Sequence, residues 1–275
     1  MKVAVITGAG SGIGLALSLV YLQQGVTVVM VDKDCAKLKN EAMQLVAQFP
    51  GKVVDIHCDV TDEASVKNLV EQVKNQLGRV DWIYNNAGII GNLAPIWDIK
   101  PEQIRQVMDV NLFGMIHIIQ AFTPLLFQQN HHAHIVNMAS LYALCSGSQL
   151  AAYTMSKHAV LALSESLHFD LKRLDKPVDV SVVFPSFTDT SLLSNPAGAN
   201  SFHEALKKLL TYSRPASDVA THIAQSVEKK QFYILPDKEV KGYCEERVKS
   251  IVLQESPHIN NIEKLMKSLM KNILA

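Results

Sequence analysis

Val3-Ala4-Val5-Ile6-Thr7-Gly8-Ala9-Gly10-Ser11-Gly12-Ile13-Gly14 opens the chain and decides its fold. Four apolar residues without a polar break read as a strand covered on both faces. The glycines that follow form a tight turn into a helical pattern from Gly14 to Gln24. Glycine accepts positive φ and lets the backbone approach a phosphate without a Cβ clash. The helix opening at Gly12 would offer that anion free N–H groups and the positive end of its dipole. The spacing is G-x-x-x-G-x-G (Gly8, Gly12, Gly14), not G-x-G-x-x-G, and a glycine string alone is equally a plain strand-to-helix turn.

Working outward, short β-branched runs recur at Val26 to Asp32, Lys52 to Asp59, Val80 to Asn85, His134 to Met138, Val178 to Phe184 and Phe232 to Leu235. Longer helical stretches lie between them, among them Asp62 to Leu77, Pro101 to Phe127 and Ala151 to Leu174. Such alternation predicts an α/β fold, a doubly wound parallel sheet with helices on both faces. No repeat or Gly/Ser linker divides residues 1–275, so one domain is expected. An irregular insert at about 185–212, rich in Ser, Thr, Asn and Pro, reads as a substrate lid. A helical extension follows at about 238–275, where Ile262, Leu265, Met266, Leu269, Met270, Ile273 and Leu274 keep helical spacing. That stripe is expected to pack on its own domain or on a neighbouring subunit, with a membrane surface the alternative.

Composition removes other classes of function. Lys+Arg and Asp+Glu balance at 26 each, which gives no footprint for nucleic acid. No unbroken apolar run approaches the roughly 18 residues of a membrane span, and the N-terminus lacks a signal-peptide pattern. Cys35, Cys58, Cys145 and Cys244 are scattered, as in a reduced protein. These features predict a soluble, cytoplasmic protein. His131-His132-x-His134 precedes a strand without a Cys or carboxylate at ligand spacing, so no metal site is expected.

The second strand ends in Asp32, twenty positions after Gly12, where a carboxylate can accept hydrogen bonds from the adenosine ribose. The same charge repels the extra phosphate of NADP, and Ser11 supplies no positive charge to welcome it. NAD is therefore the favoured cofactor, with NADP less favoured; Lys33 is the contrary sign, and a turn residue is the bland alternative for Asp32.

Tyr153 and Lys157 stand four positions apart on one helix face. Bringing a phenol with a pKa of about 10 to neutrality takes about 4 kcal/mol of differential stabilisation, which an adjacent ammonium and an oxidised nicotinamide would supply. Tyr-x-x-x-Lys alone is an ordinary surface pair. Its company changes the reading. Ser140 follows the fifth strand, Asn85-Asn86-Ala87-Gly88 ends the fourth, and Asn111 sits inside a helical stretch where an amide is a mediocre helix former.

With these motifs in order, the sequence resembles the short-chain dehydrogenase/reductase family, in its shorter single-domain, Rossmann-type branch. The resemblance runs from Lys2 to about Thr190, with Pro215 to Pro236 a weaker continuation. It implies Tyr153 as general acid/base, Ser140 holding the substrate oxygen, Lys157 binding the nicotinamide ribose while tuning Tyr153, and Asn111 fixing a proton-relay water. It places Gly8, Ser11, Gly12, Ile13, Gly14 and Asp32 on the cofactor, with Asp59 and Val60 beside the adenine. Asn86, Ala87 and Gly88 would line the cofactor's middle, and Pro185, Thr188 and Thr190 its nicotinamide end. Ser186 departs from the family's Pro-Gly motif. The resemblance also implies a homotetramer or dimer with the Ala151 to Leu174 helix at an interface.

A pocket bordered by Ile90, Leu141, Tyr142, Leu144, Phe187, Leu192 and Leu193 is mostly apolar and lacks an arginine clamp. A lipophilic secondary alcohol or ketone is the expected substrate. The rival readings are a non-catalytic dinucleotide sensor on the same fold and a methyltransferase. The Tyr/Lys pair gives neither a rationale.

Overall fold

The computed structural model describes residues 1–189, 192, 201–210 and 213–274. Its strands are β1 (Val3–Thr7), β2 (Thr27–Asp32), β3 (Val53–His57), β4 (Trp82–Asn85), β5 (Ala133–Met138), β6 (Val178–Val183) and β7 (Tyr233–Ile234). They form one parallel sheet in the order β3-β2-β1-β4-β5-β6-β7. Each strand expected from sequence appears, its ends within two residues of the expected ones. Chain order reverses between β1 and β4, where the first connection runs to one side and the later ones to the other. Ligands bind in such sheets at the carboxyl ends of the strands flanking that reversal.

The unbroken apolar strands have a simple cause. Val3, Val5, Val29 and Val31 pack into one core layer, while Ala4, Ile6, Val28 and Met30 pack into the layer on the opposite face. Alternate side chains of a strand point opposite ways, so a strand buried on both faces must be apolar throughout. The helices supplying these layers are α1 (Gly12–Gln23), α2 (Cys35–Gln48), α3 (Glu63–Leu77), α4 (Pro101–Met108), α5 (Gly114–Gln128), α6 (Ala151–Arg173), α7 (Ser201–Leu210), α8 (Ala216–Glu228), α9 (Lys238–Val252) and α10 (Asn261–Leu274).

Two features, the π turn and α7, correct the sequence reading. The helix expected over Pro101 to Phe127 is interrupted by a π turn, Asp109–Phe113, with Asn111 inside it. Pro101–Gln128 is long and apolar enough to cross a membrane by length and composition, yet Val107, Ile118, Phe122 and Leu126 are buried in the protein's own core. The insert expected to be irregular carries α7, whose Phe202, Ala205 and Leu206 are buried. The C-terminal stripe forms α10 and packs against α7 through Ile262 and Met266. Leu265 on the same helix is about half exposed.

The three neighbouring histidines go to different partners. His131 lies 3.9 Å from Asp81, His132 lies 3.6 Å from Asp179, and His134 is buried on β5 against Ser181 Oγ at 2.7 Å. Ser181 itself donates to Gln231 O, so the His134 Nε2–H is the donor to Ser181. Burial lowers the His134 pKa from 6.5 to about 4. An unfolded chain therefore takes up this proton first as pH falls, and the neutral imidazole's stabilisation, complete above pH 6.5, is lost on the way down to about 4. Urea midpoints should show about 2 kcal/mol lost between about pH 6.5 and 5. A His134→Asn variant whose stability falls as steeply would show that another group is responsible.

Candidate active site

The reversal point is tied together by one hydroxyl. Thr7 Oγ1 donates to Tyr84 O and accepts from Asn86 N and Ala87 N at 3.0 and 3.1 Å. Asn86 Nδ2 returns to Thr7 O and Gly8 O. These bonds lock the end of β1 to the end of β4 and leave a cradle between them. Gly8 and Gly12 have φ of 65° and 54°, as the turn demands. A Cβ on Gly14 would stand 2.3 Å from Gly8 O and 2.6 Å from Asn86 Nδ2. The first turn of α1 is thereby pressed onto the turn, its N-terminal end facing a cleft of about 490 Å³ lined by Gly8, Ser11, Gly12 and Ile13. A cradle that a side chain would fill, at a helix N-terminus, fits a pyrophosphate.

At one end of the cleft stands Asp32. Its Oδ2 accepts from Gly10 N at 2.9 Å and its Oδ1 from Asp34 N at 3.0 Å. Each oxygen keeps a lone pair, and the carboxylate remains on the cleft wall with Lys33 beside it. Cys58, Asp59 and Val60 line the same end. Asp59 feels burial, which raises its pKa, but two hydrogen bonds from Thr61 and nearby Lys33 hold it below the usual carboxylate value.

At the other end, α6 presents Tyr153 and Lys157 to the cleft, both buried. Ser140 starts a short turn after β5, and its hydroxyl is a hydrogen-bond partner of the Tyr153 phenol. Lys157 Nζ donates to Met138 O at 2.8 Å and stands 5.6 Å from the Tyr153 ring centre. The phenol and the ammonium are both shifted toward their neutral forms. Burial raises the Tyr153 pKa, with the Ser140 bond opposing it. Burial likewise lowers Lys157 to about 8. Both shifts express the cost of a charge in a dry pocket without its partner charge.

Asn111 is fully buried, its side chain engaged with Ile89 and Ser156. Oδ1 accepts from Ile89 N at 2.8 Å, and Nδ2 donates to Ile89 O and Ser156 Oγ at 2.9 and 3.0 Å. These bonds join the loop after β4 to α6, and the π turn aims the amide at them. Gly88 passes so close that its Cβ would meet Asn111 Oδ1 at 3.2 Å and Lys157 Nζ at 3.6 Å.

Pro185 and Thr188 line the cleft as expected from sequence, while Thr190 lies outside the described residues. Where the resemblance led one to expect glycine, Ser186 donates its N–H to Asp237 Oδ2 at 2.8 Å. Asp237 is buried, and its other oxygen takes Arg214 Nη1 at 2.9 Å. Arg214 also bridges to Thr188 through the backbone. Sequence reading missed this pair, since an Asp and an Arg 23 positions apart give no local signal. Asp237→Ala should cost about 1 kcal/mol in urea unfolding, since the half-buried Ser186 N–H loses its acceptor and Arg214, itself partly exposed, keeps only Pro236 O. It should also weaken NADH binding, measured by fluorescence. Unchanged values for both would show the pair to be idle.

The remaining wall is formed by Ile90, Leu141, Tyr142, Phe187 and Leu192, as expected, joined by Asn92, Gln106, Val110 and Leu206, which were not. Leu144 does not line it, and Leu193 lies outside the described residues. Among the described residues no cluster of three metal-ligating side chains occurs.

A parallel sheet with a cradle of glycines at its reversal point and a buried Ser-Tyr-Lys group across the same cleft is the architecture of a Rossmann-type oxidoreductase. Residues 2–199 match the family model for short chain dehydrogenases, and the chain belongs to that family. It is 36% identical to 1-deoxy-11-beta-hydroxypentalenate dehydrogenase of Streptomyces exfoliatus, over 87% of this chain and 84% of the relative. It is 30% identical to a CLA biosynthesis dehydrogenase/reductase of Lactiplantibacillus plantarum, over 96% of this chain and 98% of the relative. A short-chain dehydrogenase/reductase from Burkholderia phymatum, solved in complex with NAD, superposes with a TM-score of 0.87 at 32% identity, covering 94% of this chain and 96% of that one.

Proposed function

We propose that the protein is an NAD-dependent oxidoreductase of a lipophilic secondary alcohol or its ketone, with Tyr153 as general acid/base. The observation that carries this reading is the shared cleft, with the Asp32 carboxylate at one end and the Ser140–Tyr153–Lys157 group at the other. Gly8, Ser11, Gly12, Ile13 and Gly14 would hold the pyrophosphate, and Asp32 the adenosine ribose. Asp59 and Val60 would flank the adenine. Asn86, Ala87 and Gly88 would support the middle of the cofactor, and Pro185, Thr188 and Thr190 the nicotinamide. When bound, NAD supplies the hydride acceptor and a positive charge beside the phenol.

Ser140 Oγ donates a hydrogen bond to the substrate oxygen and orients it toward Tyr153. In the oxidative direction the Tyr153 phenolate takes the alcohol proton; in the reductive direction the phenol returns it. Lys157 is predominantly charged at neutral pH with a pKa of about 8, and lies close enough to favour that phenolate once a second cation is present. Asn111 keeps Gly88 and Ile89 beside Lys157, and we assign the relay water to its π turn. Excluding bulk water from the buried phenol strengthens each of these interactions.

The apolar wall of Ile90, Leu141, Tyr142, Phe187, Leu192 and Leu206 supports a lipophilic substrate, and the insert at 185–212 is assigned as its lid. The Streptomyces relatives, named for a hydroxypentalenate, support a hydroxyl as the reacting group, while the carboxylate in that name counts against an uncharged substrate. Four free cysteines suit a cytoplasmic setting. Exposed Met155 and Phe169 on α6 support a homodimer or tetramer through that helix, which sedimentation would read. The decisive experiment is a panel of secondary alcohols and ketones followed at the NADH absorbance. Turnover confined to acidic or phosphorylated compounds would remove the substrate assignment, and NADH binding without any turnover would remove the enzyme.

A further inference from the structure

α10 lies beyond residues 2–199, which match the family model, yet it reaches both walls of the substrate end. On one side Ile262 and Met266 share a core with Phe202 and Leu206 of α7, and Leu206 lines the cleft. On the other side Glu263 Oε1 accepts from Ser148 N at 2.8 Å. One turn earlier, Asn260 Nδ2 donates to Ser146 O at 3.4 Å while its Oδ1 accepts from Glu263 N at 3.0 Å. Asn260 thus caps α10 and fixes Glu263 in position before Glu263 grips the loop.

That loop is packed against the cleft wall. A Cβ on Gly147 would meet Tyr142 Cε1 at 2.9 Å, Glu263 Oε1 at 3.2 Å and Leu150 Cδ1 at 3.3 Å. Gln149 holds a positive φ of 57°, a conformation that a non-glycine residue keeps only when its surroundings impose it. Tyr142 in turn lines the cleft, its ring edge-on to Tyr153 with centroids 6.3 Å apart. A path of direct contacts therefore runs from Glu263 through residues 146–148 to Tyr142.

We infer that Glu263 is a positioning residue for the substrate: it holds the 146–149 loop, and through Gly147 the Tyr142 ring, at a fixed separation from the Leu206 wall carried by the same α10 helix. What the cleft binds rests on the oxidoreductase reading above; the clamp itself does not. Its parts lie at the substrate end, away from Asp32 and the phosphate turn, so loosening it widens the substrate pocket and leaves the cofactor site in place.

The test compares Glu263→Ala and Glu263→Gln in the full chain. In Glu263→Ala, amide hydrogen exchange across residues 146–149 should speed up about ten-fold, as expected when a charge-assisted bond is lost. KM for the best alcohol of the panel should rise about ten-fold with kcat and NADH Kd within about two-fold of the parent. Glu263→Gln keeps an acceptor oxygen and should match the parent in every reading. Unchanged exchange in Glu263→Ala overturns the clamp, as do KM and NADH Kd rising together, or Glu263→Gln behaving like Glu263→Ala. If the parent turns over no alcohol, the proposed function fails while the exchange comparison still decides the clamp.

Discussion

Tyr153→Phe should lower kcat by about 10³ while leaving NADH Kd within about two-fold of the parent, as expected for loss of an acid/base group that contributes little ground-state binding. The substitution removes one oxygen from a ring that stays buried against Tyr142, so its shape and its packing are kept. The oxygen is the Ser140 partner; the Ser140 alkoxide is far less accessible than a phenolate, and burial raises the neighbouring Tyr142 phenol well above its ordinary value, so neither replaces it. The pH dependence should carry the same signature. Burial raises the free phenol, so oxidation should accelerate with rising pH in the parent, as the phenolate becomes populated. Tyr153→Phe should retain only a flat residual rate. Turnover at the parental rate in Tyr153→Phe would remove the proposed mechanism.

The parts of this site that announced themselves in the sequence share a property: each depends on residues close together in the chain. The cradle is one strand-to-helix turn, and Tyr153 and Lys157 are one helical turn apart, so spacing alone brings them together. The strands were legible because burial on both faces forces continuous apolar runs, as in Val3 to Thr7. The π turn was not legible. Asn111 stands out there as a mediocre helix former, but nothing in Asp109 to Phe113 marks an extra residue in the turn, which is accommodated because Asn111 finds Ile89 and Ser156, 22 and 45 positions away. α2 escaped reading for another reason: its buried stripe is only Leu38, Ala42 and Leu45, and Asp34 starts it by accepting from Lys37 N. The buried Asp237–Arg214 pair and the Glu263–Ser148 contact are tertiary pairings with no periodic trace. Sequence shows the ammonium beside Tyr153 and hides the depth of burial, which raises the phenol.

Asp32→Asn should shift the ratio of kcat/KM for NAD over NADP by about 10³ toward NADP, the value expected when a like-charge contact worth about 4 kcal/mol near a protein surface is removed. Asparagine has the shape of aspartate, and its carbonyl oxygen can still accept from Gly10 N while the exposed bond from Asp34 N is given up, so the Gly10 turn should remain. The geometry around Gly10 allows little else: a Cβ there would stand 2.9 Å from Asp32 Oδ2, so carboxylate and turn are already in contact. A ribose carrying a 2′-phosphate must place at least one negative charge against that oxygen, in a half-buried site that dissolved ions still reach. Lys33 lines the same part of the cleft and would stay as a cation beside the phosphate once the carboxylate is neutral. Part of the shift should come from NAD itself, since the neutral amide accepts hydrogen bonds from the ribose hydroxyls less strongly than the charged carboxylate does. Raising the salt concentration separates the two contributions: the NADP gain should shrink as charges are screened, and the NAD loss should not. A ratio unchanged by Asp32→Asn would mean that Asp32 serves the Gly10 turn alone, and that the cofactor preference is set elsewhere in the cleft.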